Sequence, residues 1–207
     1  LLGKIHPSHF IEIFSKIPQE NKIVYISALP PHVRKEVATS LHITDSLYEY
    51  DKKFQEVICN EIMQLLTDGK EAMLPLSYIP EDPLLFLAKG DSIELSTLCC
   101  FLGLFDLFDE IKHVINGKLL VKLEDALSDD ELRLLRNIEG WRSDKISFEE
   151  IGLVRWNGDT AILRSVIKER GINRLAKALM ASPGDLVWFV EHLMDGQMKS
   201  EFRKYRA

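Results

Sequence analysis

The residues of this chain that come nearest to a metal-binding pattern are two histidines close to its start. His6 and His9 are three residues apart, so on a helix they would share one face and offer two ring nitrogens. A zinc site needs more ligands than two, and the other four histidines are scattered, with no Cys or carboxylate at a metal-binding helical spacing. The sequence therefore predicts no metal site.

Motifs for nucleotide binding and for acid–base catalysis are also missing from the sequence. The stretches GKLLVK (117–122) and GDTAIL (158–163) lack the second glycine and the Lys-Ser/Thr ending of a phosphate-binding loop. Paired acids such as Asp129-Asp130 and Glu149-Glu150 are typical of helix starts or solvated faces. We expect that the chain is not an enzyme and that it uses no cofactor.

Composition and charge narrow the classes of partner. The 207 residues are 46% hydrophobic and 28% charged, with a formal net charge of −6. An acidic balance argues against nucleic-acid binding, because phosphate contacts need clustered Lys and Arg.

Cys59, Cys99 and Cys100 lie in apolar helical patterns, which predicts free thiols and a cytoplasmic location. No apolar run is long enough for a bilayer, so we expect no transmembrane segment.

The spacing of apolar residues predicts an all-α fold. Apolar positions return at intervals of three and four, and no Asn-Gly or Asp-Gly turn joins two alternating runs. Pro7, Pro31 and Pro183 suit first helical turns, and Ser128 with Glu131 has capping-box spacing. The predicted helices cover about 7–16, 20–29, 31–41, 46–66, 92–102, 107–115, 118–127, 129–137, 159–169, 172–180, 183–193 and 195–205.

An Ala-Leu step recurs three times with similar surroundings, at Ala28-Leu29, Ala126-Leu127 and Ala178-Leu179. A charged residue stands eight positions before each Ala, where a connection should be exposed: Glu20, Lys118 and Arg170. Apolar residues stand fifteen and eleven positions before each Ala: Ile13, Ile17, Ile111, Ile115, Leu163 and Ile167. The repeat predicts three armadillo-like helical hairpins with those six side chains buried.

A proline-rich connection divides the chain into modules. Residues 71–92 contain Pro75, Pro80, Pro83 and Gly90, which are typical of a domain boundary. The predicted modules on either side are 1–70, a central module over 93–146, and 147–207.

Two stretches of the chain resemble the flagellar motor switch protein FliG. Ile5-His6-Pro7-Ser8 is similar to the Glu-His-Pro-Gln motif that opens that family's middle domain. Residues 10–41 then follow the family's order of helix, polar turn, helix with a Leu-Pro ending, and third helix. Residues 146–205 are similar to the family's C-terminal helices. The resemblance makes 1–70 a middle-domain-like module and 147–207 a C-terminal-domain-like module.

The resemblance implies a structural, protein-binding role in a rotor or switch ring of the bacterial flagellum, which serves motility and chemotaxis. It implies that an exposed helix start binds the neighbouring ring protein through His6, Pro7, Ser8, His9 and Phe10. The charges with which the family meets the stator are changed in type here, to Met180, Gln197, Lys204 and Tyr205. We therefore expect a scaffold without torque duty, cytoplasmic and peripheral to the inner membrane through its partners.

Two other specific interpretations stay open, beside that of an unrelated helical repeat adaptor. One is a FliG-like scaffold of a type III secretion apparatus, where a switch-like ring exists without a stator. The other is a helical regulatory domain similar to the cytoplasmic part of MgtE magnesium transporters, which shares the Leu-Pro-Pro pattern, although the acids here are dispersed.

Self-association is a further prediction. An armadillo-like unit at a chain end leaves an apolar face without a neighbour. We expect copies of the chain to stack through the apolar side chains near its two ends: Phe14, Leu186, Trp188, Phe189 and Leu193.

Overall fold

A computed structural model describes residues 2–44, 47–67, 76–138 and 151–206 of the chain. Within these ranges the regular secondary structure is entirely helical and no strand occurs, which confirms the predicted all-α fold. The helices are α1 (Pro7–Ser15), α2 (Gln19–Ala28), α3 (Pro31–Ser40), α4 (Lys52–Leu66), α5 (Ser92–Ile111), α6 (Gly117–Ala126), α7 (Asp129–Ile138), α8 (Thr160–Ala178), α9 (Gly184–Leu193) and α10 (Gly196–Arg206).

Short polar side chains begin several of these helices, because the first backbone N–H groups of a helix need acceptors from outside it. Asp51 accepts from the N–H groups of the first turn of α4, and Asp159 does the same for α8. The predicted capping box is confirmed: the Glu131 carboxylate accepts from Ser128 N–H at 2.7 Å, and Ser128 Oγ accepts from Glu131 N–H at 3.4 Å.

The helices group into two compact units that are not continuous in sequence. Unit 1 comprises Leu1–Ser92 and Ser182–Lys199, and unit 2 comprises Ile93–Ala181 and Ser200–Ala207, for the residues described. The predicted module 147–207 is therefore divided, because α9 belongs with the amino-terminal helices. Ser46, Pro75 and residues 147–150, which the predictions also used, lie outside the described residues.

Unit 1 has a core made by α1 to α4 with α9. Helices α1 and α2 each pack against α3 and α4, and α9 packs against the 3-10 helix Leu85–Lys89. Side chains from all four amino-terminal helices are buried there, including Phe10, Phe14, Ile26, Val37 and Ile62. Trp188 of α9 packs on the same cluster, so a helix distant in sequence completes this core.

Unit 2 is built around a crossing of α5 and α8 at two glycines. A methyl group added at Gly103 would overlap the backbone oxygen of Ile167, and one added at Gly171 would overlap that of Cys99. The two backbones can approach so closely only because neither glycine carries a side chain. The core around the crossing includes Leu104, Leu107, Leu163 and Ile167.

This crossing explains two incorrect helix boundaries. The sequence predicted breaks at 103–106 and at 170–171, but α5 and α8 run through both positions. Glycine normally weakens a helix interior, and here close packing outweighs that preference. The third predicted hairpin is therefore wrong, because Arg170 lies inside one continuous helix.

The Ala-Leu repeat has a simpler structural meaning than three hairpins. Each Ala is the last residue of a helix, and the Leu that follows caps it and is buried, at Leu29, Leu127 and Leu179. The prediction that six side chains are buried is confirmed for Leu163 and Ile167. It is wrong for Ile115, which is 99% exposed. The other three, Ile13, Ile17 and Ile111, are half-buried.

Candidate functional site

The His-Pro step is the start of α1, and its side chains organise that start. His6 is the N-cap, in an extended conformation (φ −62°, ψ 134°), and Pro7 is the first helical residue. Ser8 N–H donates to His6 Nδ1 at 3.2 Å, and the Ser8 hydroxyl lies 2.9 Å from the same nitrogen. The imidazole thus performs the capping role that Ser or Asp usually performs.

Two hydrogen bonds connect this start to the end of α9. His6 N–H donates to His192 O at 2.8 Å, and His9 Nε2 donates to Met194 O at 2.8 Å. His192 O lies in the last turn of α9 and Met194 O belongs to its C-cap, and a helix leaves the carbonyl groups at this end without intrahelical partners. The motif is therefore held in one orientation within unit 1.

Exposure divides the five residues predicted to bind a partner. His6, Pro7 and Ser8 are half-buried, whereas His9 is 4% exposed and Phe10 is fully buried. The expected exposed site thus shrinks to the His6-Pro7-Ser8 corner. His9 faces α9 instead, because α9 folds back onto α1, which the local sequence does not reveal.

A cluster of basic side chains lies beneath this corner. The rings of His9 and His192 have centroids 4.8 Å apart, and Trp188 stacks on His192 at 3.7 Å. Lys199 Nζ lies 3.1 Å from His192 Nε2. Burial, followed by the positive charge of Lys199, lowers the pKa of His9 from 6.5 to about 4. At neutral pH, His9 is therefore uncharged.

The side chains predicted to stack between copies are mostly buried. Phe14, Leu186, Phe189 and Leu193 are buried, and Trp188 is half-buried against the same core. Stacking through these side chains stays unsupported, because four of the five are buried and offer no open face.

The four positions that match the family's torque charges differ in exposure. Met180 and Lys204 are exposed and belong to unit 2, while the exposed Gln197 belongs to unit 1. Tyr205 is half-buried, and its hydroxyl donates to Glu169 Oε1 at 2.5 Å, so this side chain serves packing within unit 2.

Sequence reasoning missed the charged contacts of unit 2. Arg164 donates to both carboxylate oxygens of Glu131, and Arg174 pairs with Asp106. The Glu110 carboxylate accepts from the N–H groups of Ile151 and Leu153 at 2.7 and 2.5 Å. Helical spacing marks such residues as polar, but it does not show that they meet across the fold.

Unit 2 also contains an apolar cavity of about 320 Å³ between α5, α6 and α7. Its walls are mainly leucines of α6 and α7, with Phe108 and Ile111 of α5, and Glu124 and Arg136 stand among them. No polar cluster suited to catalysis converges on this cavity in the described part of unit 2.

Elsewhere in the described ranges, no three His, Cys, Asp or Glu side chains are placed to hold a metal ion. None of the helices described is long and apolar enough to cross a membrane. Comparison of the chain with protein-family models, with curated proteins and with solved structures found no match. The function must therefore be argued from the molecule's own geometry.

Proposed function

We propose that this protein is a non-enzymatic, FliG-like scaffold of a rotor or switch ring, which binds neighbouring ring components through its amino-terminal unit. One observation carries the proposal: the order of the first four helices. A His-Pro helix start, a polar turn, a second helix with an Ala-Leu-Pro ending, a proline-started third helix and a longer fourth follow the order of the family's middle domain. The armadillo-like arrangement of these helices is part of the proposal.

The geometry of the helix start is suited to protein binding. The His6-Pro7-Ser8 corner is fixed by the His6 cap, by the ring of Pro7 and by the bond to His192 O. A binding surface that is already ordered loses little conformational entropy when a partner docks. This favours a docking role for the three half-buried residues.

The proposed scaffold has no torque duty. A rotor part that meets a charged stator acts through exposed charges. At the four matching positions the chain has Met180, Gln197, Lys204 and Tyr205, and Tyr205 is engaged with Glu169 inside unit 2. The proposed location is cytoplasmic, at the inner membrane, through ring proteins rather than through an anchor in the described helices.

A ring of a type III secretion apparatus is the alternative setting for the same scaffold. It needs docking but no stator, which agrees with the altered torque positions. Binding to a rotor-ring protein would favour the flagellar setting, and binding to a secretion-ring protein would favour the type III secretion apparatus.

The experiment measures binding of the purified chain to purified rotor-ring and secretion-ring proteins from the same cell by isothermal titration calorimetry. The test variant is His6→Ser with Pro7→Ala, in which serine keeps the N-cap while the ring and the proline are lost. We expect at least tenfold weaker binding with a melting temperature changed by only a few degrees.

The matched control is Asp51→Ser, the same kind of change at the N-cap of α4 in the same unit. It should leave binding unchanged. Equal affinity of the wild type and of the His6→Ser/Pro7→Ala variant would remove the docking role, and binding to neither class of ring protein would remove the proposed function.

A further inference from the structure

The hydrogen bonds around His9 and His192 fix the proton positions on both rings. Met194 O can only accept, so His9 Nε2 carries a proton. Burial and the charge of Lys199 lower the pKa of His9, so its Nδ1 is unprotonated at neutral pH. Trp188 O accepts from His192 Nδ1 at 2.7 Å, so His192 Nε2 is bare and accepts from the Lys199 ammonium. Each ring is therefore neutral, with one nitrogen able to take up a proton.

A second proton on either ring has unfavourable surroundings. A second proton on His192 would occupy Nε2 and remove the hydrogen bond from Lys199. Two positive charges would then face each other 3.1 Å apart. On His9 a second proton would add charge to a ring that is 4% exposed and lies close to Lys199.

For His9, the charged neighbours on the surrounding elements only partly offset this. On α1, His6 opposes a proton on His9 and the exposed Glu12 favours it. On α9, the buried Glu191 adjoins His192; at the start of α10, Asp195 accepts from Met198 N–H. The 3-10 helix Leu85–Lys89 contributes only the exposed Lys89.

We propose that His9, His192 and Lys199 form an acid-sensitive latch, which holds the start of α1 against the end of α9 at neutral pH and releases it when a proton binds either histidine. Release breaks the His6 N–H bond to His192 O and the His9 bond to Met194 O. The His6-Pro7-Ser8 corner then loses the support that orders it. The latch is independent of the proposed ring function, since it concerns only contacts within unit 1.

The direction of the pH effect follows from the lowered pKa of His9. Between pH 6.5 and about 4 the open state binds more protons than the closed state, so closure is complete above pH 6.5 and weakens as the pH falls. Those two pKa values give an opening equilibrium roughly 30-fold more favourable at pH 5 than at pH 7.5.

The amide of His6 reports on the latch directly, because its N–H bonds to His192 O. Hydrogen exchange of this amide is measured by NMR at pH 7.5 and pH 5 and corrected for the intrinsic exchange rate. We expect its protection to fall by roughly 30-fold in the wild type. The variant His9→Gln/His192→Asn keeps both side-chain donors but cannot titrate, and its protection should not change.

The matched control is His32→Gln. His32 is an exposed histidine of the same unit whose Nε2 also donates to a backbone oxygen, that of Gly3, at 3.0 Å. This variant should behave as the wild type. A His6 amide equally protected at both pH values in the wild type, or an equal loss in His9→Gln/His192→Asn, would overturn the latch.

Titration of the wild-type histidine rings by NMR keeps the test independent of whether the double variant folds. We expect His9 to titrate well below pH 6, whereas the protection of the His6 amide should already fall from pH 6.5 downwards. Titration of His9 and His192 at their ordinary pKa near 6.5, with α1 still in place, would equally overturn the proposal.

Discussion

The two units of this protein secure their helices with different chemistry. In unit 1 the start of α1 is joined to the end of α9 by the uncharged His9 ring and by the His6 N–H, each of which donates to a backbone carbonyl. Trp188 stacks on His192 within α9. In unit 2 the helices are joined by the salt bridges Glu131–Arg164 and Asp106–Arg174. In addition, the backbones of α5 and α8 are in direct contact at two glycines.

This difference predicts that acid acts on the two units in separate pH windows. Unit 1 depends on uncharged histidine and weakens from pH 6.5 downwards. Burial alone would raise the pKa of Glu131, but the bonds from Ser128 N–H and Arg164 outweigh it and lower that pKa below 4.5. The stability that Glu131 gives unit 2 is therefore complete above pH 4.5 and is lost only as the pH falls below it.

The largest effect is expected at the helix crossing of unit 2. Gly171→Ala places a methyl group against the backbone carbonyl of Cys99. The overlap can be relieved only if α5 and α8 move apart. We expect a loss of about 4 kcal/mol or failure to fold. Urea unfolding followed by the fluorescence of Trp156, in a Trp141→Phe/Trp188→Phe background, reports on unit 2. The control Gly196→Ala, where nothing lies within 4 Å, should cost almost nothing.

The Arg174–Asp106 pair should give the next largest effect, since the side chains are only 12% and 11% exposed. Arg174→Met leaves the Asp106 carboxylate without its partner, at a cost of about 3 kcal/mol in the free energy of unfolding. Asp106→Leu combined with Arg174→Met should recover most of that loss, because no isolated charge remains. A double variant as unstable as the single one would show that packing, rather than charge, holds this contact.

Glu131→Gln tests the acid window of unit 2. At pH 7 the change should lower unit 2 stability by about 2 kcal/mol, because Arg164 loses its anionic partner and the capping box is weakened. The difference from the wild type should shrink as the pH is lowered below 4.5. A difference that is constant from pH 7 to pH 3 would mean that the charge of Glu131 does not contribute.

The smallest effects are expected at exposed helix caps, and they should be alike in both units. Asp51→Ala at α4 and Asp159→Ala at α8 each remove one carboxylate acceptor from two N–H groups. Each should lower the free energy of unfolding by about 1 kcal/mol. Urea unfolding of the two variants checks this, and a much larger loss in only one unit would mean that its helix depends on the cap for packing.

Sequence reasoning succeeded where the signal was local. Capping residues, prolines and apolar periodicity placed α1, α2, α3, α6, α7, α9 and α10 within a few residues of their bounds, because these features act within one turn. The Ala-Leu steps were also found correctly as helix ends.

It failed where contacts distant in sequence decide the structure. Gly103 and Gly171 looked like helix ends, but each contacts the backbone of a helix more than sixty residues away. His9 and Phe10 looked like an exposed helix start, but both are buried, and His9 bonds to Met194 O at the end of α9. The local spacing of residues does not show which distant helix packs against a given position in the folded protein.

We propose that the amino-terminal unit docks onto a ring component through the corner at His6, Pro7 and Ser8. Amide hydrogen exchange over the whole chain, measured at pH 7.5 with and without each purified rotor-ring and secretion-ring protein, is the decisive test of this docking. We predict that one of these proteins slows exchange further at the first turn of α1 and leaves α5 and α8 unchanged. Protection confined to residues 93–181, or no change with any ring protein, would contradict the claim.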